Sequence, residues 1–129
     1  MKRLILLVSL FWAVGAVAQS AAPAKETISL KQTSHDFGKI QQGRPVTHVF
    51  EVTNIGDDLL RIENVQASCG CTTPEWSYEP VKKGASTAIK VGYNAATEGV
   101  FQKTVTITYN GGQTKVLQIS GQVYKTVAS

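Results

Sequence analysis

From Glu26 onward, apolar and polar residues alternate in short runs, and no stretch has a helical period. Ile28 and Leu30 alternate with polar neighbours, which predicts a first strand that Phe37-Gly38-Lys39-Ile40 continues after a break. Gln42-Gly43-Arg44-Pro45 reads as a turn. Residues 46–53 predict a long strand with Val46, Phe50 and Val52 on one face. Asn54-Ile55-Gly56-Asp57-Asp58 is the next turn, because Asn and Gly tolerate positive φ. Leu60 and Ile62 mark a strand reaching about Gln66, and residues 69–80 read as a loop. Thr87, Ile89, Val91 and Tyr93 alternate, as do Phe101, Val105, Ile107 and Tyr109. Asn110-Gly111-Gly112 is a hairpin signal, since two glycines supply the angles of primed turns. Leu117, Ile119 and Val123 complete the pattern.

About seven strands, with turn chemistry at short, regular intervals, predict an all-β fold: an immunoglobulin-like antiparallel β-sandwich. Alternating strands have one dry and one wet face, so two sheets must pack to hide the dry ones. A closed barrel is the rival solution.

The first residues have a different pattern. Lys2 and Arg3 precede an uncharged apolar run over 4–14, and Ala16-Val17-Ala18 is a small-x-small cleavage site. This predicts a signal peptide over 1–18, cleaved after Ala18, with Gln19 as the new N-terminus. The alternative is an uncleaved anchor, but the run is short for a membrane span. No cysteine follows it, so no lipid-modified terminus is expected. Residues 19–25 read as a flexible lead and 26–125 as the sandwich domain. The expected location is periplasmic or extracellular, with no membrane span after cleavage.

Charge excludes little. The formal +4 includes Lys2 and Arg3, so the cleaved chain carries about +2. No basic run or basic-aromatic interleaving exists, so nucleic acid is not an expected partner.

The two cysteines of the chain stand together in Cys69-Gly70-Cys71. They can join only if the backbone turns sharply, bringing the Cα atoms within roughly 4.4–6.8 Å. Gly70 permits that bend. Three readings stay open. The pair is a structural turn lock, a thiol-disulfide redox site, or a soft-metal site for monovalent copper or half of a zinc site. The redox reading lacks the usual Cys-x-x-Cys at a helix N-terminus. The metal reading lacks a nearby histidine. His35 stands beside Asp36-Phe37-Gly38, and His48 lies in phase with Val46 and Phe50. Both are read as structural. A basic residue near the thiols would favour redox work, and Lys82, Lys83 and Arg61 are the candidates. Glu75 and Glu79 flank Trp76 and read as solvated. No nucleophile, base and orienter assemble, and no phosphate-cradling loop exists.

The runs Phe37-Gly38-Lys39-Ile40, Phe50-Glu51-Val52-Thr53-Asn54-Ile55-Gly56, Leu60-Arg61-Ile62 and Ala67-Ser68-Cys69-Gly70-Cys71-Thr72, with Pro80 and Gly84, resemble an exported bacterial family, domain of unknown function 1573. The Phe-x-Val-x-Asn-x-Gly pattern is also similar to the immunoglobulin-like domains of the major sperm protein and Hydin type, mainly interaction modules. The resemblance implies a sandwich in the envelope or outside the cell, and implies no reaction. Its turn positions are Asn54, Gly56, Pro80 and Gly84. One departure is Lys83-Gly84, where the resemblance implies Pro-Gly. The expectation is a non-enzymatic module acting in binding or assembly with a protein partner, needing no cofactor. The alternative is redox or copper chemistry at Cys69 and Cys71.

Overall fold

The structure, a computed structural model, describes Gly15 and residues 26–125. The signal peptide, its cleavage after Ala18 and the lead over 19–25 fall outside the described residues. Among the described residues, eight strands follow in order: β1 (Ile28–Leu30), β2 (Ser34–Gln41), β3 (Val46–Asn54), β4 (Ile62–Ala67), β5 (Thr72–Glu75), β6 (Ser86–Tyr93), β7 (Gly99–Tyr109) and β8 (Gln113–Tyr124). They form two four-stranded sheets, ordered β1-β3-β6-β5 and β2-β8-β7-β4. The fold is therefore a β-sandwich and not a barrel.

The alternation explains the packing. Phe50 and Val52 of β3, with Ile89 and Val91 of β6, turn inward from the first sheet. Val105 and Ile107 of β7, with Leu117, Ile119 and Val123 of β8, meet them from the second. All are at most 1% exposed. Burying an aliphatic side chain of this size is worth roughly 1.5–3 kcal/mol, so these residues supply most of the cohesion between the sheets.

The strand count is eight where about seven were expected, and three details differ from the sequence pattern. Ile28–Leu30 and the segment around Phe37 are not one interrupted strand. The chain leaves the first sheet after Leu30 and enters the second at Ser34. The sandwich is also not wholly antiparallel, because β2 runs parallel to β8. Finally, the loop expected over 69–80 contains β5, an edge strand paired with β6. Pro74 breaks the strand signal in Thr-Thr-Pro-Glu, yet proline is acceptable on an edge, where its missing N–H has no ladder bond to make. Leu60 lies outside β4 and forms a single bridge to Val81.

The hairpin at 110–112 forms as the glycines suggest. Asn110, Gly111 and Gly112 all have positive φ, at 44°, 81° and 106°, and Tyr109 pairs with Gln113 across them.

At the end of β3, Asn54 is 1% exposed and ties three segments together. Its Nδ2 donates to the carbonyls of Asp58 and Val81, each at 2.8 Å, and its Oδ1 accepts the Gly56 amide at 3.0 Å. Its backbone carbonyl accepts the Gly84 amide at 2.7 Å, and its amide donates to Ala85 at 2.9 Å. Gly84 has φ +80°, and a Cβ on Gly56 would stand 3.2 Å from Cβ of Thr27. Pro80 is exposed and immediately precedes Val81, whose bridge to Leu60 this network braces. Asn54→Ala removes three side-chain hydrogen bonds. The Val81 carbonyl keeps the Leu60 amide and the Gly56 amide keeps the Thr27 carbonyl, so the Asp58 carbonyl is the group that loses its partner. The variant should cost about 2 kcal/mol, within the roughly 1–3 kcal/mol of such a loss. Urea denaturation of the two proteins, with an unchanged m-value, measures it.

Candidate functional site

The Cys69-Gly70-Cys71 segment is the corner at which the chain passes from the second sheet to the first, between β4 and β5. The corner is fixed on both sides. Toward the second sheet, the Ser68 amide donates to the Thr104 carbonyl at 2.9 Å, and the Thr104 amide donates to Ser68 Oγ at 3.1 Å. Toward the first, the Thr72 amide donates to the Cys69 carbonyl at 3.3 Å, and the Asn94 amide to the Cys71 carbonyl at 3.0 Å.

Cys69 and Cys71 are joined as a disulfide, with Cα atoms 5.3 Å apart. In this state the sulfurs offer no thiolate to copper or zinc. The Cys71 amide donates to Cys69 Sγ at 3.2 Å. The Thr72 hydroxyl lies 3.9 Å from each sulfur, and Thr72 is only 3% exposed. The amide contact falls on Cys69 Sγ, while the Thr72 hydroxyl is equidistant from the two sulfurs. Cys71 packs against the hydrophobic core.

Cys71 also lines a cleft of about 370 Å³ together with Tyr93, Glu98, Phe101 and Lys103. Tyr93 and Phe101 stack there with ring centroids 3.9 Å apart. Lys103 is a basic residue that borders the same cleft as Cys71 and was not among those considered from the sequence. The available signal was its phase: Lys103 alternates inward with Phe101 and Val105 on β7. The residues considered instead lie elsewhere. Lys83 Nζ sits 2.8 Å from Asp57 Oδ1, and that hydrogen bond raises its pKa above the ordinary value. The backbone of Arg61 pairs with Asn110 at the hairpin, and Lys82 borders a surface groove with Ser77, Glu79 and Pro80. Glu75 faces Lys90 at 3.9 Å, while Glu79 caps onto Ser77 through its amide. The two carboxylates make no acid-base pair. Trp76 is partly buried against the core and tilts over Tyr78 at 4.1 Å.

The histidines converge on each other and not on the cysteines. His35 of β2 and His48 of β3 stack with centroids 3.6 Å apart and planes 7° from parallel, joining the two sheets at their edge. Phe37 and Phe50 pack edge-on against the stack, and His48 Nε2 meets Gln32 Oε1 at 3.0 Å. Among the described residues, no group of three or more His, Cys, Asp or Glu side chains could hold a metal ion. Among them, too, no helix is long and apolar enough to cross a membrane.

Burial first, and the neighbouring His35 second, lower the pKa of His48 below its ordinary 6.5. A folded state that resists protonation loses stability as protons are offered. The contribution of His48 is therefore intact above pH 6.5 and falls as the pH drops from there through the lowered value. Thermal unfolding of the wild type and of His48→Gln should diverge over that interval, with the variant losing less stability on acidification. Parallel curves would remove His48 as the cause.

Residues 28–123 match the family model described as "Protein of unknown function (DUF1573)". No curated protein matches the chain. Among solved structures, a protein of unknown function from Porphyromonas gingivalis W83 is 19% identical with a TM-score of 0.65, the match covering 78% of this chain and 50% of that one. The chain thus spans half the length of that protein. The PapD-like domain 7 of human CEP192 is 10% identical with a TM-score of 0.68, covering 87% of this chain and 98% of that one. WR4, a major sperm protein family member from C. elegans, is 11% identical with a TM-score of 0.56, covering 78% and 100%. At such identities these similarities establish the immunoglobulin-like fold and nothing finer.

Proposed function

The chain belongs to the DUF1573 family, and on that premise we propose that it is an exported module of the cell envelope that acts in binding or assembly and not as an enzyme. Its partner is an extended polypeptide segment that adds to the open edge of β3. Export rests on the n-region, apolar run and Ala16-Val17-Ala18 site at the N-terminus.

One observation supports the docking edge. β1 pairs only with Val52, Thr53 and Asn54, although β3 runs from Val46 to Asn54. Among the described residues, residues 46–51 have no strand on the side away from β6. A strand edge without a neighbour presents backbone donors and acceptors in the spacing that an added strand satisfies. A groove of about 340 Å³, lined by Lys31, Gln32, Val49, Phe50 and Glu51, runs beside this stretch. Val49 is 53% exposed and supplies apolar surface. Lys31 and Glu51, 3.8 Å apart at the rim, supply both charges. The main-chain ladder would give affinity, and Val49 with the rim charges would give selectivity.

A photoreactive residue in place of Val49 should cross-link a defined polypeptide in the envelope. The same residue in place of Val100, which is 82% exposed on the other sheet, should not. Adding the captured segment should slow amide exchange within residues 46–51 about ten-fold or more, as a new hydrogen-bonded strand does. Equal capture at Val100, or unchanged exchange, would refute the proposal.

A further inference from the structure

We propose that the Cys69–Cys71 disulfide exchanges stoichiometrically with thiols of other polypeptides, Cys71 being the sulfur attacked and Cys69 the leaving group. This goes beyond the docking reading and does not depend on it.

Two asymmetries in the corner assign these roles. The first is placement. Cys71 packs against the core and lines the cleft floored by the Tyr93–Phe101 stack. A thiol entering that cleft meets Cys71. The second is stabilisation of the departing charge. The Cys71 amide points at Cys69 Sγ at 3.2 Å, and the Thr72 hydroxyl, equidistant from both sulfurs at 3.9 Å, is within reach of whichever one departs. A sulfur that leaves as a better-stabilised thiolate leaves faster.

Lys103 supplies the remaining element. It borders the same cleft, so its positive charge favours arrival of a thiolate, while Glu98 at the cleft opposes it. Thr72 and Lys103 are positioning residues, because neither forms a bond in the exchange.

The exchange balances as follows. The incoming thiolate forms a bond to Cys71 Sγ, and the bond between Cys71 and Cys69 breaks with its electron pair going to Cys69. The Cys69 thiolate, held by the Cys71 amide and Thr72, takes up a proton from water equivalent to the one lost by the attacking thiol. A second thiolate of the same polypeptide then attacks the partner sulfur of the mixed disulfide. The Cys71 thiolate leaves and is protonated in turn. One dithiol has been oxidised to a disulfide, and Cys69 and Cys71 have been reduced to two thiols. Two electrons and two protons are transferred.

Reduced glutathione is the probe. The purified, oxidised protein is mixed with it, quenched in acid at short times, alkylated and mapped by mass spectrometry. The expected product carries glutathione on Cys71 and the alkyl group on Cys69. It should form at least about ten-fold faster than on the isolated oxidised peptide of residues 67–73, which lacks the cleft and Thr72 burial. Thr72→Val should slow formation roughly five-fold, and Thr72→Ser, which keeps the hydroxyl, should restore it. Should Thr72→Val fail to fold, Lys103→Met carries the test, with a roughly three-fold loss of rate at low salt that disappears at high salt. Glutathione chiefly on Cys69, a rate equal to that of the peptide, or full rates in both Thr72→Val and Lys103→Met would overturn the proposal.

Discussion

Each sheet of this sandwich has only one apolar face, and neither face tolerates water. That single requirement governs the rest of the structure. The inward residues of β3 and β6 have no other place to go than onto those of β7 and β8. The chain nevertheless alternates between the sheets along its first half, so each crossing must be short, specific and internally hydrogen-bonded. Two of them have become the polar fixtures of the domain. One is the buried Asn54 carboxamide, which holds the turn at 54–58 against Val81. The other is the cysteine corner, which carries the chain from β4 to β5 in four residues, 68–71.

The two fixtures differ in chemical character. Asn54 is saturated: both ends of its carboxamide are engaged, and its neighbours gain fixed partners. The corner is uneven: the Cys71 amide meets Cys69 Sγ, the Thr72 hydroxyl is equidistant from both sulfurs, and Cys71 packs on the core and lines the cleft. The open stretch of β3 lies in the sheet that this corner enters, so a polypeptide docked there would be held on the same module as the disulfide.

Much of this was readable in the residues. Strict alternation over 87–93 and 101–109 revealed the strands, and Asn110-Gly111-Gly112 revealed the hairpin, because these signals are local. Asn54 and Gly56 were recognisable as turn residues for the same reason. What escaped was non-local or locally contradictory. The break at Lys31-Gln32-Thr33 looks identical whether the chain resumes in the same sheet or changes sheets. Thr-Thr-Pro-Glu has no alternation and contains a proline, so only its pairing with β6 makes it a strand. The cysteines were visible, but their surroundings were not. Thr72 is next to Cys71 in sequence, yet its burial depends on the neighbouring strand. Lys103 is more than thirty residues away and reaches the site only because β7 runs past the corner.

The parallel pairing of β2 with β8 carries a consequence in time. Ser34 is matched with Gln118, and Gln41 with Tyr124. Among the described residues, the second strand to emerge from a ribosome or a translocation pore thus has its ladder partner in the eighth. Until then β2 has no hydrogen-bonded neighbour, and His35 has no closed seam to rest against. Native contacts so far apart along the chain make folding slow and tie its completion to the twelve residues of β8. The domain cannot be assembled progressively from its N-terminus: the edge that β2 forms is closed by β8.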